Sequence, residues 1–369
     1  MKEGHKIRKA IIFFLTSSLF LSGCSDQRLY KELSVISVVG IGGHIGELKA
    51  YYAYPSSGTD PTQYIVLEGE GKTAREVRID ANKKTEQTMD IAELTTILVS
   101  EETAKGDLYA LLDVYYRSAQ SPTTAKIVVT EGTSRRFLEL KETIPKEIGE
   151  YYLDFVQSFE DATIVPEINL ETAADLMFSE GRDLALPYLK TSSDKALPQL
   201  EGLALFNGKK YTGEYLTLRE STFATLLGYR KARIVELAYL WDKQGKNIPV
   251  AFDVIRFKKK KKVIQEGDNI KIQYNINMPI TVTEYPPDHL DRKQVRKPLE
   301  EFIEDSVEKD IARMFKKIQE ASSDILGIGE YIRAYYPQLW REGKWKDIYK
   351  DIKIEAKVNV DIVRSGSIR

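Results

Sequence analysis

Residues 94–130 have the sequence LTTILVSEETAKGDLYALLDVYYRSAQSPTTAKIVVT, which predicts a strand, a helix and a second strand. Leu94–Val99 and Ala125–Thr130 are short apolar runs rich in β-branched residues, the pattern of buried strands. Ser100 is a good helix N-cap, and we expect a helix from there to about Tyr116. Its leucines recur at helical spacing, so one face of this helix should pack on a sheet.

Toward the N-terminus, the sequence predicts more strands of the same sheet. Ser34–Val39 is apolar and β-branched and should run into a turn at Gly40–Gly43, with Leu48–Tyr54 and Gln63–Leu67 as neighbouring strands. The glycines could begin a dinucleotide-binding turn, but the sixth position of that motif is Ile45 and no apolar-periodic helix follows. We therefore expect no nucleotide cofactor here.

Toward the C-terminus, two helices and a linker are expected. The first helix, Glu147–Phe159, carries an aromatic stripe that could line a ligand but at this spacing is more typical of core packing. A second helix should start at Asn169 and end by Gly181. Pro187–Pro198 is rich in Ser, Pro and charge and is predicted to be a linker.

A different unit follows the linker. Gly202–Phe206, the turn Asn207-Gly208 and Tyr211–Arg219 predict a β-hairpin, followed by a short helix ending near Leu227. Long alternating segments predict an antiparallel sheet, and they are Ala232–Tyr239, Ile248–Phe257 and Lys271–Thr283. Pro298 should open a long amphipathic helix, and residues 352–362 alternate as a half-buried strand.

Lys258–Lys262 is a run of five lysines between two of these strands. The run could contact anionic lipid or the acidic face of a partner. The simpler interpretation, which we favour, is a solvated strand edge, because lysines on edge strands oppose aggregation.

The predicted fold class is therefore α+β, with mixed or antiparallel sheets packed against helices in three consecutive domains. The predicted boundaries are 1–23 for a signal peptide, 24–145 for an N-terminal α/β domain, 146–198 for a helical middle domain and linker, and 199–369 for a C-terminal α+β domain whose long helix spans 298–320.

The composition of the 369 residues is that of a soluble globular protein, with 42% hydrophobic and 30% charged residues. Lys and Arg number 54 against 55 Asp and Glu, a balance that does not indicate a nucleic-acid-binding protein. One cysteine and three histidines leave little for metal chemistry, and we expect no metal site.

The single cysteine, Cys24, follows a basic segment and an uncharged run, Ala10–Leu21, that is too short to span a bilayer comfortably. This arrangement is typical of a secretory signal peptide. The junction Leu21-Ser22-Gly23-Cys24 is similar to a bacterial lipobox, in which the cysteine receives a diacylglyceryl group and becomes the mature N-terminus. The alternative is an unmodified cysteine in an ordinary signal sequence.

Several segments together resemble the Ger(x)C family, the C subunits of spore germinant receptors. They occur in the right order along nearly the whole chain: the lipobox, ELSVISVVGIG at 32–42, GLALFN at 202–207, DILGIG at 324–329, Tyr336-Pro337-x-x-Trp340, Trp345 and Gly366. The chain departs from the family at Gly43-His44, where members commonly carry an acidic residue, and residues 72–93 look short for the family.

The resemblance implies an elongated lipoprotein of three domains on the outer face of the inner spore membrane, beside polytopic A and B subunits. Cys24, carrying S-diacylglycerol and N-acyl groups, is the functional residue that carries over, and the family supplies no catalytic residues. Known catalytic motifs are absent from the sequence, so we expect no catalysis and no cofactor. Two alternatives stay open, an extracytoplasmic solute-binding lipoprotein and a cell-wall hydrolase built on paired carboxylates.

Overall fold

The computed structural model describes residues 33–56, 60, 62–118, 121–140, 144–192, 197–229, 235–266, 269–340 and 344–365. The signal peptide expected at 1–23 and Cys24 lie outside these residues. Within them, no helix combines the length and the apolar composition that a membrane crossing requires.

The strands of the described residues are, in chain order, β1 (Leu33–Val35), β2 (Val38–His44), β3 (Glu47–Pro55), β4 (Tyr64–Gly71), β5 (Thr88–Asp90), β6 (Thr96–Ser100), β7 (Lys126–Thr130), β8 (Ala185–Thr191), β9 (Pro198–Asn207), β10 (Lys210–Thr217), β11 (Glu236–Lys243), β12 (Lys246–Val254), β13 (Lys258–Glu266), β14 (Asn269–Glu284) and β15 (Lys353–Arg364).

The helices are α1 (Ala74–Asn82), α2 (Glu101–Ala104), α3 (Leu108–Arg117), α4 (Ser134–Leu138), α5 (Ile148–Asp161), α6 (Leu170–Phe178), α7 (Leu218–Gly228), α8 (Lys293–Glu320), α9 (Ile328–Tyr335) and α10 (Trp345–Asp351). A short 3-10 turn, Pro337–Leu339, lies between the last two. Helices and strands of mixed pairing confirm the α+β class.

The first sheet has eight strands in the order β10-β9-β8-β7-β6-β2-β3-β4. Its centre is parallel, from β2 through β6 and β7 to β8, and both flanks are antiparallel. β1 and β5 form a separate parallel pair. The predicted strand–helix–strand unit at 94–130 is thus confirmed as the parallel centre of this sheet.

The helix predicted from Ser100 to Tyr116 is wrong as a single element. It is broken at Gly106, and Asp107 caps the second helix, α3, by accepting a hydrogen bond from the Ala110 amide at 3.0 Å. The Ser100 hydroxyl instead accepts a hydrogen bond from the amide of Ser134 at 2.9 Å, so this residue ties α4 to the sheet rather than capping a long helix.

Two further expectations require correction in the first sheet. Gly40–Gly43 was expected to be a turn, but these residues continue strand β2, and the chain reverses at Ile45 and Gly46. The linker expected at Pro187–Pro198 is wrong in its first part, because Ala185–Thr191 is strand β8. Pro187 is tolerated there since pairing with β7 begins only at Tyr188, so its missing N–H removes no bond from that ladder.

Pairing also runs through the boundary predicted at residue 198. The hairpin β9–β10, expected to open the C-terminal domain, pairs with β8 and completes the first sheet. The division of the chain into three domains stays a prediction.

The second sheet follows the order β11-β12-β14-β13, and β15 pairs in parallel with the other side of β14. Helix α8 packs across it and starts at Lys293, so Pro298 lies inside the helix and not at its start. The regular alternation predicted for residues 352–362 is confirmed in β15, where Val358, Val360 and Ile362 are buried.

Two apolar cores fill the protein. One lies between the first sheet and α3 and α6. The other begins at α4 and α5 on the opposite face of that sheet and continues through α7 to α8 and the second sheet. The buried Ile148, Tyr152 and Val156 of α5 belong to this second core, which confirms the core interpretation of the aromatic helix. The two sheets therefore share one continuous core.

Candidate functional site

The segment Asp324–Gly329, called the DILGIG loop below, follows α8, runs into the first turn of α9 and lies where the two sheets meet. It pairs backbone to backbone with residues that precede β8 in the first sheet. The Asp183 amide donates to the Asp324 carbonyl at 3.0 Å, and the Glu330 amide donates to the Gly181 carbonyl at 3.0 Å. This segment, which carries part of the family resemblance, therefore holds the two halves of the protein together.

Glycine is required where these two segments touch. A Cβ atom at Gly329 would lie 2.5 Å from Nε1 of Trp345 and 2.7 Å from Cα of Gly181. A Cβ atom at Gly181 would lie 2.5 Å from the amide nitrogen of Glu330. Because real Cβ atoms do not approach other atoms so closely, any other residue at either position would push the two halves apart.

Asp324 is the centre of the site, and its side chain is fully buried. Its Oδ1 accepts a hydrogen bond from the Ile328 amide at 2.9 Å, and its Oδ2 accepts from the Gly329 amide at 2.8 Å and from Trp345 Nε1 at 3.0 Å. Burial raises the pKa of Asp324 to about 6, although the two backbone hydrogen bonds act in the opposite direction. The carboxylate thus fixes the shape of the loop and anchors α10.

Asp183 is a second fully buried carboxylate and lies two residues before strand β8 begins. It accepts hydrogen bonds from the Asp324 amide at 2.6 Å and the Gly208 amide at 2.7 Å, and it forms an ion pair with Lys346. Gly208 belongs to the predicted Asn207-Gly208 turn, so one side chain connects the β9–β10 hairpin, the DILGIG loop and α10. A buried charge held in this way costs much free energy if one partner is removed.

Arg182 connects the same region to helix α7. Its Nη2 donates to the carbonyl of Gly228 at 3.0 Å, and its guanidinium lies over the ring of Tyr229, 4.4 Å from the centroid. Its Nη1 is 3.9 Å from a carboxylate oxygen of Glu330 in α9. Arg182 therefore joins the last turn of α7 to the first turn of α9.

Two lysines of the run Lys258–Lys262 contact residues of the site, because successive side chains of a strand point to opposite faces of the sheet. Lys259 Nζ donates to the carbonyls of Leu226 at 2.8 Å, Leu227 at 2.6 Å and Tyr229 at 3.1 Å, which satisfies the free carbonyls at the end of α7. Lys261 Nζ lies over the ring of Tyr331, 4.7 Å from its centroid. The interpretation of the run as a solvated strand edge therefore does not hold for all five lysines, because Lys259 and Lys261 make contacts within the protein.

Desolvation lowers the pKa of both inward lysines to about 8. For Lys259 the neighbouring charges of Lys261 and Arg182 act in the same direction. For Lys261 the charge of Asp324 acts in the opposite direction and favours the ammonium. Lys258, Lys260 and Lys262 alternate with these two lysines along β13 and point to the other face of the sheet, as the two-residue period of a strand requires.

The two carboxylates are engaged as hydrogen-bond acceptors rather than presented for catalysis. Each oxygen of Asp324 and Asp183 accepts at least one hydrogen bond from a backbone amide. General acid–base chemistry needs a carboxyl group that can reach a substrate proton, and a fully buried, saturated carboxylate does not offer one. The geometry is that of a structural joint.

A cleft of about 540 Å³ lies between the end of α5, the start of α7 and strand β11. Ser158, Asp161, Arg219 and Glu236 are among its polar lining residues. Arg219 is already engaged, since its Nη2 donates to the Ala238 carbonyl at 2.9 Å and its Nη1 is 3.6 Å from Oδ2 of Asp310.

Comparison with known proteins places the chain among proteins of spore germination. The family model described as "Spore germination protein N-terminal domain" matches residues 26–191, and that described as "Spore germination B3/GerAC like, C-terminal" matches residues 201–366. The chain belongs to the Ger(x)C family, the family of germinant-receptor C subunits that the sequence resembles.

Two curated relatives match over their full lengths. Spore germination protein GerQC of Bacillus cereus is 21% identical over 364 residues, covering 97% of this chain and 99% of the relative. Spore germination protein KC of Bacillus subtilis (strain 168) is 24% identical over 395 residues, covering 98% and 97%. The crystal structure of the GerBC protein shares the fold, with a TM-score of 0.55 and 16% identity over 88% of this chain and 97% of that one.

Proposed function

We propose that this protein is a lipid-anchored subunit of a spore nutrient-germinant receptor, required for assembly of the receptor or for its signalling. The observation that carries the proposal is the match to spore germination proteins over almost the whole chain, with both family models in order. The proposed partners are the polytopic A and B subunits, and the proposed location is the outer face of the inner spore membrane.

The proposed anchor is Cys24, acylated on sulfur and on its amino group after cleavage of residues 1–23. Two or more acyl chains bind a bilayer stably, whereas one chain gives only marginal binding. The lipobox-like junction at Leu21–Cys24 supports this assignment. Acylation would also consume the sole thiol of the chain, which suits a protein outside the cytosol.

The proposed subunit acts by binding and not by catalysis. The saturated, buried carboxylates of Asp183 and Asp324 support this, since the most strongly perturbed acidic group of the site is used to hold the DILGIG loop. A rigid connection between two sheets is suited to a subunit that transmits or supports contacts between membrane partners.

The anchor is tested with Cys24→Ala and the matched control Ser25→Ala in spores. We expect Cys24→Ala to lose labelling by a palmitate analogue and to leave the membrane fraction, whereas Ser25→Ala should retain both. Retained labelling of Cys24→Ala would refute the lipid assignment. Spores lacking the whole protein should respond slowly to nutrients but normally to dodecylamine, which acts without a receptor; loss of both responses would refute the receptor role.

Solute binding is a second candidate, and the cleft near Arg219 is the observation that favours it. Its polar lining could orient a small solute between the two sheets. Calorimetric titration of the purified protein with nutrient germinants would detect such binding, and the variant Thr222→Trp should abolish it by filling the cleft.

A further inference from the structure

Among the described residues, no helix packs on one face of the second sheet, which is called the outer face below. Along β14, Ile272, Tyr274, Ile276 and Met278 point toward α8 and are 0–3% exposed. The alternate residues of β13, β14 and β15 point the other way, and apart from Ile264, Pro279 and Val363 they are polar. The outer face is therefore a charged sheet surface open to its surroundings.

One half of the outer face is basic. The register aligns Lys260 of β13 with Asn275 of β14 and Asn275 with Lys357 of β15, so lysines from three strands share this surface. The lysines of this basic half are Lys258, Lys260, Lys262, Lys271, Lys353 and Lys357. Glu355, a carboxylate in this half, pairs with Lys271 and with Lys353 at 2.6 Å each.

The other half of the same face is acidic. Glu236 of β11 lies opposite Asp253 of β12, and Asp253 lies opposite Thr281 in the distal part of β14. The carboxylates of this acidic half are Glu236, Asp242, Asp253 and Asp361. The charges are thus separated along the sheet, which gives this part of the protein an electric dipole.

Edge protection explains only part of the basic half. Lys258, Lys260 and Lys262 lie on β13, which pairs with β14 alone, and lysines there oppose pairing with other chains. Lys271 lies on the interior strand β14, and Lys357 lies beside the stretch of β15 in which glutamates of α8 accept hydrogen bonds from the amides of Val358, Val360 and Ile362, so these two lysines protect no open edge. Among the described residues, no carboxylate lies within 4.0 Å of Lys258, Lys260, Lys262 or Lys357.

The chemistry of the cations favours a lipid surface over a protein surface. All are lysines, whose hydrated point charges suit a diffuse layer of phosphates, whereas arginine is the cation preferred in protein interfaces and lysine is depleted there. A protein held at a bilayer by acyl chains is kept close to that surface, where charge acts over about 8–10 Å at physiological salt. The negative surface potential of an anionic bilayer attracts the basic half of the outer face and repels the acidic half.

We propose that the basic half of the outer face lies against the anionic headgroups of the bilayer, an inference that rests on the proposed anchor at Cys24. The anchor supplies the attachment and the lysines supply the orientation. Each lysine near an anionic surface contributes a factor of about five to the preference for that surface. Loss of three lysines should therefore weaken the orientation on the order of a hundredfold.

The test uses the acylated protein in vesicles of phosphatidylcholine with or without phosphatidylglycerol. Since Cys24 is the sole cysteine and is blocked by acylation, Asn275→Cys provides one labelling site in the middle of the basic half. A fluorophore at this site should be quenched by nitroxide-headgroup lipids when phosphatidylglycerol is present. Quenching should fall to the phosphatidylcholine level at roughly 1 M salt, where charge acts over only about 3 Å.

The triple variant Lys258→Glu, Lys260→Glu and Lys262→Glu should lose the quenching while remaining bound to the vesicles. The control Lys72→Glu, Lys83→Glu and Lys210→Glu makes the same change in net charge at exposed positions of the first sheet and should retain it. Failure of the acylated protein to bind any vesicle would refute the anchor. Binding without quenching, or equal quenching in phosphatidylcholine, would refute the orientation alone.

Discussion

Trp345 Nε1 donates a hydrogen bond to Oδ2 of Asp324 across 3.0 Å, and both side chains are buried. The bond joins α10 to the DILGIG loop, so a residue near the end of the chain fixes a loop that is in contact with the first sheet. The Asp324 carboxylate also accepts hydrogen bonds from the amides of Ile328 and Gly329, so it is the common acceptor of three donors.

Replacement of Asp324 by alanine should destabilise the protein strongly, because all three donors would be left buried without an acceptor. Each such donor costs about 1–3 kcal/mol, and we expect a total loss of roughly 3–5 kcal/mol in the free energy of unfolding. Denaturant unfolding measures it. Asp305→Ala, at an exposed position of α8, is the control and should change the free energy by less than about 0.5 kcal/mol; an equal effect of the two variants would contradict the role of Asp324.

The raised pKa of Asp324 predicts a specific pH dependence. The folded protein holds this proton up to about pH 6, whereas an unfolded aspartate releases it near pH 3.9. The contribution of this group to stability therefore falls as the pH rises from about 4 to about 6. Asp324→Asn should remove that part of the slope. Unfolding free energies measured at intervals across this range would show it, and identical slopes in the two proteins would contradict the assignment.

Lys261 predicts the opposite trend at alkaline pH. Its folded pKa of about 8 lies below the ordinary value of 10.5, so the folded protein releases the proton more readily than the unfolded chain. The contribution of Lys261 to stability therefore rises as the pH increases from about 8 to about 10.5. Lys261→Met should flatten the measured dependence in this range. Lys260→Met, on the exposed side of the same strand, should leave it unchanged, and matching profiles for the two variants would refute the prediction.

Three glutamates of α8 close the free edge of β15. Glu300, Glu304 and Glu308 are one helical turn apart, and their Oε1 atoms accept hydrogen bonds from the amides of Ile362 at 3.2 Å, Val360 at 2.8 Å and Val358 at 2.7 Å. An open edge of this kind is a template for pairing with other chains.

The triple variant Glu300→Ala, Glu304→Ala and Glu308→Ala should therefore aggregate and should exchange the amide hydrogens of Val358, Val360 and Ile362 faster. Light scattering and hydrogen exchange measure the two effects. Glu301→Ala, which removes an exposed carboxylate of the same helix, serves as the control. Unchanged exchange in the triple variant would show that these carboxylates do not protect the edge.

Local patterns in the sequence predicted the elements that depend on nearby residues. The strands at 96–100 and 126–130, the β9–β10 hairpin and the alternation of β15 follow from β-branched runs, a turn dipeptide and a two-residue period. The strand around Pro187 was missed because it depends on tertiary partners that outweigh local preference. The break at Gly106 was missed although it has a local cause, since Asp107 caps the helix that follows.

The site was harder to predict than the fold. DILGIG was recognisable as a family segment, but its contact with Asp183 connects residues far apart in the sequence, and no spacing rule reveals such a contact. The inward direction of Lys259 and Lys261 was available from strand periodicity once β13 was recognised as a strand. Cys24, the residue assigned from the sequence, lies outside the described residues, and its acylation stays a prediction.

The parallel pairing of β15 with β14 has a consequence for the order of folding. The pairing runs from Lys271 opposite Lys353 to Thr281 opposite Arg364, so β14 has no partner on this side until β15 has been synthesised. Trp345 and Lys346, which complete the joint, emerge in the same late stretch. Such long-range pairing is slow to form. The contacts of Trp345 and Lys346 are therefore among the last parts of the joint to form, and a chain cut short before residue 345 would contain every element of the first sheet yet lack the bonds that these two residues make to Asp324 and Asp183.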